Sequence, residues 1–328
     1  MLFSMFLPTF LFGDVFEAEA APQKTYQPTQ AQRRLEEQRR VQEQKIAEIR
    51  RQNAARSAAR TTEITAAVAA NAKVQPSAAP PKLRYTWIKS QRYILLGDIA
   101  KFYKFSVVYT KMGIVLKGKD KVDLYYNKRI GTVNGTNVYF TAPPVVRKNA
   151  VYLNEKDFLL VLDPLLRDNA VVKYPVRTIM IDPGHGGTDK GALGAGNLWE
   201  KNLNLAMAVK LRAALRKFGY QVIMTRTGDQ TLSLQDRADL CKKYKPDLFV
   251  SVHCNATSQK TISGIETFAM TPDGSASTSD SKPAASTGPG NSFDKNNYRM
   301  AYEIQKELVK DTKAEDRGVK HARFFVLR

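Results

Sequence analysis

Downstream of Arg177 the apolar residues switch repeatedly between short runs and helical spacing. Residues 178–181 form an almost unbroken apolar run, read as a buried strand, which leads directly into Asp182-Pro183-Gly184-His185-Gly186-Gly187. Leu203, Ala206, Met207, Leu211, Ala214, Leu215 and Phe218 then recur as one helical stripe, and Gly219 is placed to end that helix. "YQVIMTR" predicts a second strand. Ser233 and Asp236 have the spacing of a capping pair and open a helix running to Lys243, before Pro246. "DLFVSVHCN" and "GIETFAM" predict a third and a fourth strand. Residues 272–293 read as a Ser/Gly/Pro-rich loop, too polar to be core. "KNNYRMAYEIQKELVKD" predicts a helix, and "ARFFVLR" starts another strand. Such alternation predicts an α/β domain over 177–328, with a mostly parallel sheet flanked by helices.

Upstream the pattern changes. Over 84–173 the chain reads as a small α+β domain. "RYILLGDIAKFYKF" alternates and then turns helical, with Asp98 near the helix start, and "GIVLKG", "KVDLYYN", "KRIGTV" and "TNVYFTA" are short β-rich runs. Asn134-Gly135 lies between the last two and signals a hairpin. "AVYLNEKDFLLVLDPLL" repeats the opening pattern, a tyrosine-led apolar run followed by a helix. Residues 22–83 read as a basic helical arm and an Ala/Pro linker. The helix formers of 30–60 carry too few regularly spaced apolar residues for a stable coiled coil, and the linker occupies 61–83. Residues 1–21 read as a signal peptide, with an apolar core at 2–12 and an A-x-A pattern at Ala18-Glu19-Ala20. That core is too short to span a bilayer, so an exported protein of the periplasm or cell wall is expected.

The 328 residues and 43% hydrophobic content suffice for two domains with appended segments. The formal charge of +20 is unevenly spread. Lys and Arg outnumber Asp and Glu by 12 to 8 over 1–83, by 16 to 7 over 84–176 and by 23 to 16 over 177–328. The excess favours a polyanionic partner, met through the arm and the 84–173 domain: an anionic cell-wall polymer or a membrane surface. Nucleic acid is not expected, because neither an RNP-like aromatic motif nor zinc-finger spacing is present. Cys241 and Cys254 read as small buried hydrophobes, and spacing does not establish a disulfide between them.

Open parallel sheets place their sites at the carboxyl ends of strands. His185 lies just past the first strand, His253 at the end of "LFVSVH", and Glu200 opens the helix beginning "WEKNLN". If the two strands are neighbours, all three reach one crevice. Two histidines and a carboxylate are a ligand set of catalytic zinc. A phosphate nest in the glycine loop is the competing reading. Against a nucleotide site, the loop has no GxGxxG and no Lys-Ser/Thr after its glycines.

"IMIDPGHGGTDKGALG", "EKNLNLAMAVKLRAAL", "VIMTRTGD", "LSLQDRADL", "DLFVSVHCNA", "GIETFAM" and "RGVKHARFFVLR" together resemble the zinc-dependent N-acetylmuramoyl-L-alanine amidases (the amidase 3 family), from about residue 177 to 328. The resemblance implies Zn2+ held by His185, Glu200 and His253, and cleavage of the amide between muramic acid and L-alanine in peptidoglycan. It implies that Asp182 orients the loop or a ligand, and that Asn255 touches substrate or shapes the loop. His321 falls at a variable position of the family and reads as a surface residue or a neighbour of a ligand. The family's general base is a glutamate on a strand beyond the one matching "RFFVLR". That places it past Arg328 and the domain is expected to be truncated, with Glu266 the nearest candidate within the chain. A non-catalytic peptidoglycan-binding or regulatory homologue lacking that base is the alternative. Residues 84–173 resemble the copper amine oxidase N-terminal-like domain found beside cell-wall enzymes. No histidine or cysteine lies between 84 and 173, so copper is not implied.

Overall fold

The computed structural model describes residues 83–173, 176–257, 259, 261–280, 282–285 and 288–328, with isolated positions between 30 and 55. The expected leader, the linker up to Leu83, and nearly all of the arm lie outside the described residues. Among the described residues no helix is long and apolar enough to cross a membrane.

The first part begins with a hairpin, β1 (Tyr85–Ile88) and β2 (Gln91–Leu95), followed by helix α1 (Leu96–Tyr103). An antiparallel meander follows: β3 (Ser106–Tyr109), β4 (Gly113–Lys117), β5 (Lys121–Tyr125), β6 (Ile130–Val133) and β7 (Thr136–Tyr139). Asn134 and Gly135 both adopt left-handed φ, 49° and 85°, and make the tight β6–β7 turn expected of Asn-Gly. β8 (Val145–Arg147) and β9 (Ala150–Asn154) return to the first hairpin and complete a sheet of order β1-β2-β9-β8. The repeated sequence pattern acquires a meaning here. Its two tyrosine-led runs are β2 and β9, which pair antiparallel with Ile94 opposite Leu153. Each is followed by helix, the second as a π-helical turn (Asp157–Leu162) running into α2 (Asp163–Leu166).

In the second part β10 (Thr178–Pro183) is buried along its whole length. It lies between β11 (Gln221–Met224) and β12 (Leu248–Val252), parallel to both. Helix α3 (Glu200–Lys217) turns only part of the predicted stripe inward: Leu203, Leu211 and Leu215 are half-buried, whereas Ala206, Met207, Ala214 and Phe218 are exposed. Ala208, with Leu211 and Leu215 beside it, packs on Ile179, Ile181 and Val222, and Gly219 (φ 86°) follows the helix end. Helix α4 (Leu234–Tyr244) starts at the predicted capping box of Ser233 and Asp236. β13 (Ile265–Met270) and β14 (Asp316–Ala322) are parallel and joined across α5 (Asp294–Thr312).

Here the single, mostly parallel sheet gives way to mixed α/β architecture with several sheets. β11-β10-β12 is a parallel sheet of three. β14 instead pairs with β7, Val319 opposite Val138, making a mixed seven-stranded sheet of order β13-β14-β7-β6-β5-β4-β3. The physical reason is a shared core. Ala269, Tyr298, Ala301, Tyr302 and Val319 bury themselves with Ile94, Leu116, Val133, Phe140 and Phe158. The hydroxyls of Tyr298 and Tyr302 donate to the carbonyls of Tyr139 (3.0 Å) and Val133 (2.9 Å), so the burial leaves neither phenol unpaired.

Two local expectations also change. Of the strand expected to start in 322–328 only Ala322 is in a strand, as the end of β14; Phe325–Leu327 is a 3₁₀ turn, in which the N–H groups of Leu327 and Arg328 bond back to Phe324 and Phe325 rather than to a neighbouring strand. The 272–293 loop contributes to the interior: Ser275, Ala276 and Ser277 are buried. Its backbone carbonyls accept guanidinium hydrogen bonds, from Arg129 at Ala276, Ser277 and Asp280, and from Arg323 at Ser275 and Ala284.

Candidate metal centre

The carboxyl ends of β10 and β12 are adjacent, with Asp182 opposite Ser251, so the residues following each strand meet above the sheet. His185 and His253 face one another there, ring centroids 4.8 Å apart and planes at 81°. Glu200 reaches between them from the first turn of α3. Its Oε2 is 3.2 Å from His185 Nε2, and its Oε1 is 3.1 Å from His253 Nδ1. The three residues offer ligand atoms that all lie within 4.8 Å of one another.

Glycine makes this approach possible at two positions. A Cβ on Gly184 would stand 2.2 Å from His253 Cε1 and Nε2. One on Gly191, whose φ is +66°, would stand 2.6 Å from His185 Cδ2 and 2.7 Å from Glu200 Oε2. The glycines therefore leave the space that the two imidazoles and the carboxylate occupy.

Electrostatics fit a cation at this point. Glu200 is 5% exposed, and among the described residues its only ion-pair partners are the two histidines. Burial pushes its pKa up. N–H donors at Ala192 (3.0 Å) and Cys254 (2.8 Å), together with Asn204, pull it down further, so the carboxylate is held ionised. Its place at a helix N-terminus acts in the same direction. His185 Nδ1 lies 2.9 Å from Asp189 Oδ2. A proton donated there leaves the Nε2 lone pair directed at the centre, the carboxylate–imidazole arrangement that orients metal-binding histidines.

The other candidates are placed differently. Asp182 is buried but accepts from Thr225 Oγ1 (2.6 Å), Ser251 Oγ (2.8 Å) and Arg237; it reaches the His185 loop only through that arginine. Asn255 donates to Glu266 (2.8 Å). Glu266 also accepts from Lys320 and Arg317; burial raises its pKa, but these partners lower it further, which weakens it as a proton acceptor. His321 is neither at the surface nor beside a ligand. It is 2% exposed within β14 and stacked on Tyr298, and burial lowers its pKa to about 4, so it is neutral. Cys241 and Cys254 are both free thiols, and burial raises that of Cys241 to about 11. Sequence reasoning missed Asp189, Asn204, Arg226 and Arg237. Only Asp189 had a local signal, a carboxylate four residues after a histidine in a glycine loop.

Two imidazoles and one buried carboxylate at the strand ends of a parallel sheet define a candidate divalent-metal centre of an α/β protein. The N-acetylmuramoyl-L-alanine amidase family matches residues 179–328, a span holding all three ligand candidates, and the chain belongs to that family. It is 35% identical to N-acetylmuramoyl-L-alanine amidase LytC of Bacillus subtilis (strain 168) over 48% of this chain and 28% of LytC. Identity to N-acetylmuramoyl-L-alanine amidase AmiA of Salmonella typhimurium is 41%, over 31% of this chain and 35% of AmiA. The chain thus spans about a third of the length of these relatives. A crystal structure of N-acetylmuramoyl-L-alanine amidase from Clostridium difficile 630 is 34% identical over 47% of this chain and 74% of that one, with a TM-score of 0.38.

Proposed function

We propose that this protein is a zinc hydrolase that cleaves the amide between the lactyl group of N-acetylmuramic acid and L-alanine in peptidoglycan, acting after export in the periplasm or cell wall. The observation that carries the reading is the convergence of His185, Glu200 and His253 on one point, in space that Gly184 and Gly191 keep open. Zinc bound there supplies a water that ionises near pH 7 and a Lewis acid for the amide carbonyl. The chain's own residues prepare the centre. Asp189 fixes the His185 ring, the N–H groups of Ala192 and Cys254 keep Glu200 ionised, and the exposed side of His253 leaves the centre open to substrate. The paired state of Glu266 supports a structural role rather than proton transfer. Asp182 orients the loop through Arg237, and Asn255 shapes the segment after His253 through Glu266. The excess of cations in 84–176 supports contact of that part with an anionic wall polymer.

The test is mass spectrometry of purified peptidoglycan after incubation with protein isolated from its own cells. Stem peptides with a free amino-terminal alanine, and glycan strands with unsubstituted lactyl groups, are expected. 1,10-Phenanthroline should abolish their release and added Zn2+ should restore it. Cleavage at a glycosidic bond, or cleavage indifferent to the chelator, would overturn the proposal. Binding to peptidoglycan without cleavage would establish the non-catalytic alternative.

A further inference from the structure

Two arginines are buried beneath the His185 loop, and neither serves an ordinary surface ion pair. Arg226 follows β11 and is 2% exposed; Arg237 lies in the first turns of α4 and is 4% exposed. Arg226 donates from Nε to the carbonyl of Pro183 (2.9 Å), from Nη1 to that of Gly228 (3.0 Å), and from Nη2 to those of Gly184 (2.9 Å) and Lys201 (2.8 Å). Arg237 donates from Nη1 to the Asp182 carboxylate and the Pro183 carbonyl (3.1 Å), and from Nη2 to the carbonyl of His185 (3.0 Å). Three successive carbonyls, those of residues 183, 184 and 185, therefore end on guanidinium groups.

This arrangement answers a conformational difficulty. His185 has φ +61°, the left-handed region that a residue with a Cβ occupies only when its surroundings fix it. Arg237 grips its carbonyl, and Arg237 is itself anchored on Asp182 in β10. Arg226 does something different. Its Nη2 joins the carbonyl of Gly184, next to His185, to that of Lys201, next to Glu200. One planar group thus spans the two segments that carry two of the three ligand candidates. Among the described residues Arg226 forms no ion pair, so carbonyl bracing is what its burial achieves. A lysine could supply the charge but not the fork.

We propose that Arg226 and Arg237 are positioning residues of the metal centre: Arg226 sets the separation of His185 from Glu200, and Arg237 holds His185 in its left-handed conformation. The inference rests on the reading of His185, Glu200 and His253 as the metal ligands.

The experiment compares the full chain with Arg226→Lys, Arg237→Lys and a control, Arg167→Lys. Arg167 pairs with Asp163 at 2.7 Å, outside the site. Zinc affinity is measured by chelator competition, ligand geometry by the visible spectrum of the Co2+-substituted protein, and fold by the melting of the metal-free form. The two site variants should bind zinc roughly 10- to 100-fold more weakly, the range typical of groups that orient metal ligands, with an altered Co2+ spectrum. The control should melt lower but keep wild-type affinity and spectrum. Wild-type affinity and spectrum in both site variants, or an equal affinity loss in the control, overturns the proposal. Absence of metal binding by the wild type overturns the metal reading itself, a distinguishable result. Should the variants not fold, the wild type still decides by nitrogen NMR. The Nε–H signals of Arg226 and Arg237 should resist solvent exchange and shift on adding Zn2+. Fast-exchanging signals unmoved by zinc refute the bracing.

Discussion

Replacing Gly184 by alanine tests the geometry of the centre with a single methyl group. The added Cβ would lie 2.2 Å from two atoms of the His253 ring. Non-bonded carbons settle at about 3.5–4.0 Å, so one partner must retreat by more than about 1 Å. The backbone of Gly184 is the stiffer partner. Its carbonyl is held by Arg226 and Asn204, and its N–H bonds to the Val252 carbonyl at 2.9 Å. His253, with its side chain 39% exposed, is free to swing toward solvent. Metal–ligand distances tolerate only about ±0.2 Å, so the retreat removes a ligand. Zinc affinity should therefore fall by more than the roughly 10- to 100-fold seen when a group that merely orients a ligand is lost. Metal-free stability should change by less than about 1 kcal/mol, because only a part-exposed side chain has moved. Gly97→Ala is the control. It lies in α1 with no atom within 4 Å of its added Cβ, so it should leave zinc binding unaltered. Equilibrium dialysis with Zn2+ and thermal melting measure both quantities. Wild-type zinc affinity in Gly184→Ala would refute the placement of His253.

Asp189→Asn should keep the fold but lower zinc affinity about 10-fold, since the amide orients His185 without the carboxylate's charge; chelator competition reads it. Tyr302→Phe should cost about 1 kcal/mol in urea unfolding, by removing the phenol's hydrogen bond to the buried Val133 carbonyl, and residues 84–173 and 177–328 should unfold in one transition because they share a core. The pH dependence has opposing parts. His321 has a folded pKa of about 4 against an ordinary 6.5, so its contribution is present above pH 6.5 and is lost as pH falls toward 4. Buried Asp157 runs the other way: its folded pKa of about 6, raised by burial from 3.8, gives a contribution present below pH 3.8 and lost as pH rises through 6. Each amounts to about 3 kcal/mol at most, so they largely cancel between pH 4 and 6. His321→Gln should unmask the aspartate, and unfolding free energy measured across that range should then rise on acidification. A slope unchanged from wild type would refute the assignment.

What the sequence revealed and what it concealed divide along the range of the interactions. The existence of helix α3, the Ser233–Asp236 capping box, the Asn134-Gly135 turn and the strand entering the His185 loop are fixed by neighbours within a few residues, and each was legible, whereas the face that α3 buries, centred on Ala208, was not. The candidate ligands were legible because a histidine in a glycine loop and one ending an apolar strand are local patterns that parallel-sheet topology brings together. The β14–β7 pairing was not legible. It joins residues nearly two hundred positions apart, and β14 itself, Asp316 to Ala322, is too polar a stretch to read as a buried strand. Arg226 and Arg237 were hidden for another reason. They stand in "VIMTRTGD" and "LSLQDRADL", and nothing in either stretch points to the carbonyls of 183–185 that they reach in the folded chain. His321 was misplaced because a variable position of the family does not reveal burial, and only the fold brings the Tyr298 ring over it.

The two cores differ in how they hold their parts. The shared core beneath the seven-stranded sheet is large and apolar. The cluster under the candidate metal centre has only Ile179, Ile181, Ala208 and Val222 fully buried. So small a cluster offers little apolar area to fix the loop above it. The loop is instead fixed by directed bonds: Arg226 and Arg237 on its carbonyls, Asp229 on the N–H of Gly187 (2.7 Å), and Lys201 on the Gly187 carbonyl (2.8 Å). Apolar packing tolerates small shifts, because it has no direction. Hydrogen bonds to consecutive carbonyls do not, and a site that must hold ligands to a few tenths of an ångström gains more from direction than from area.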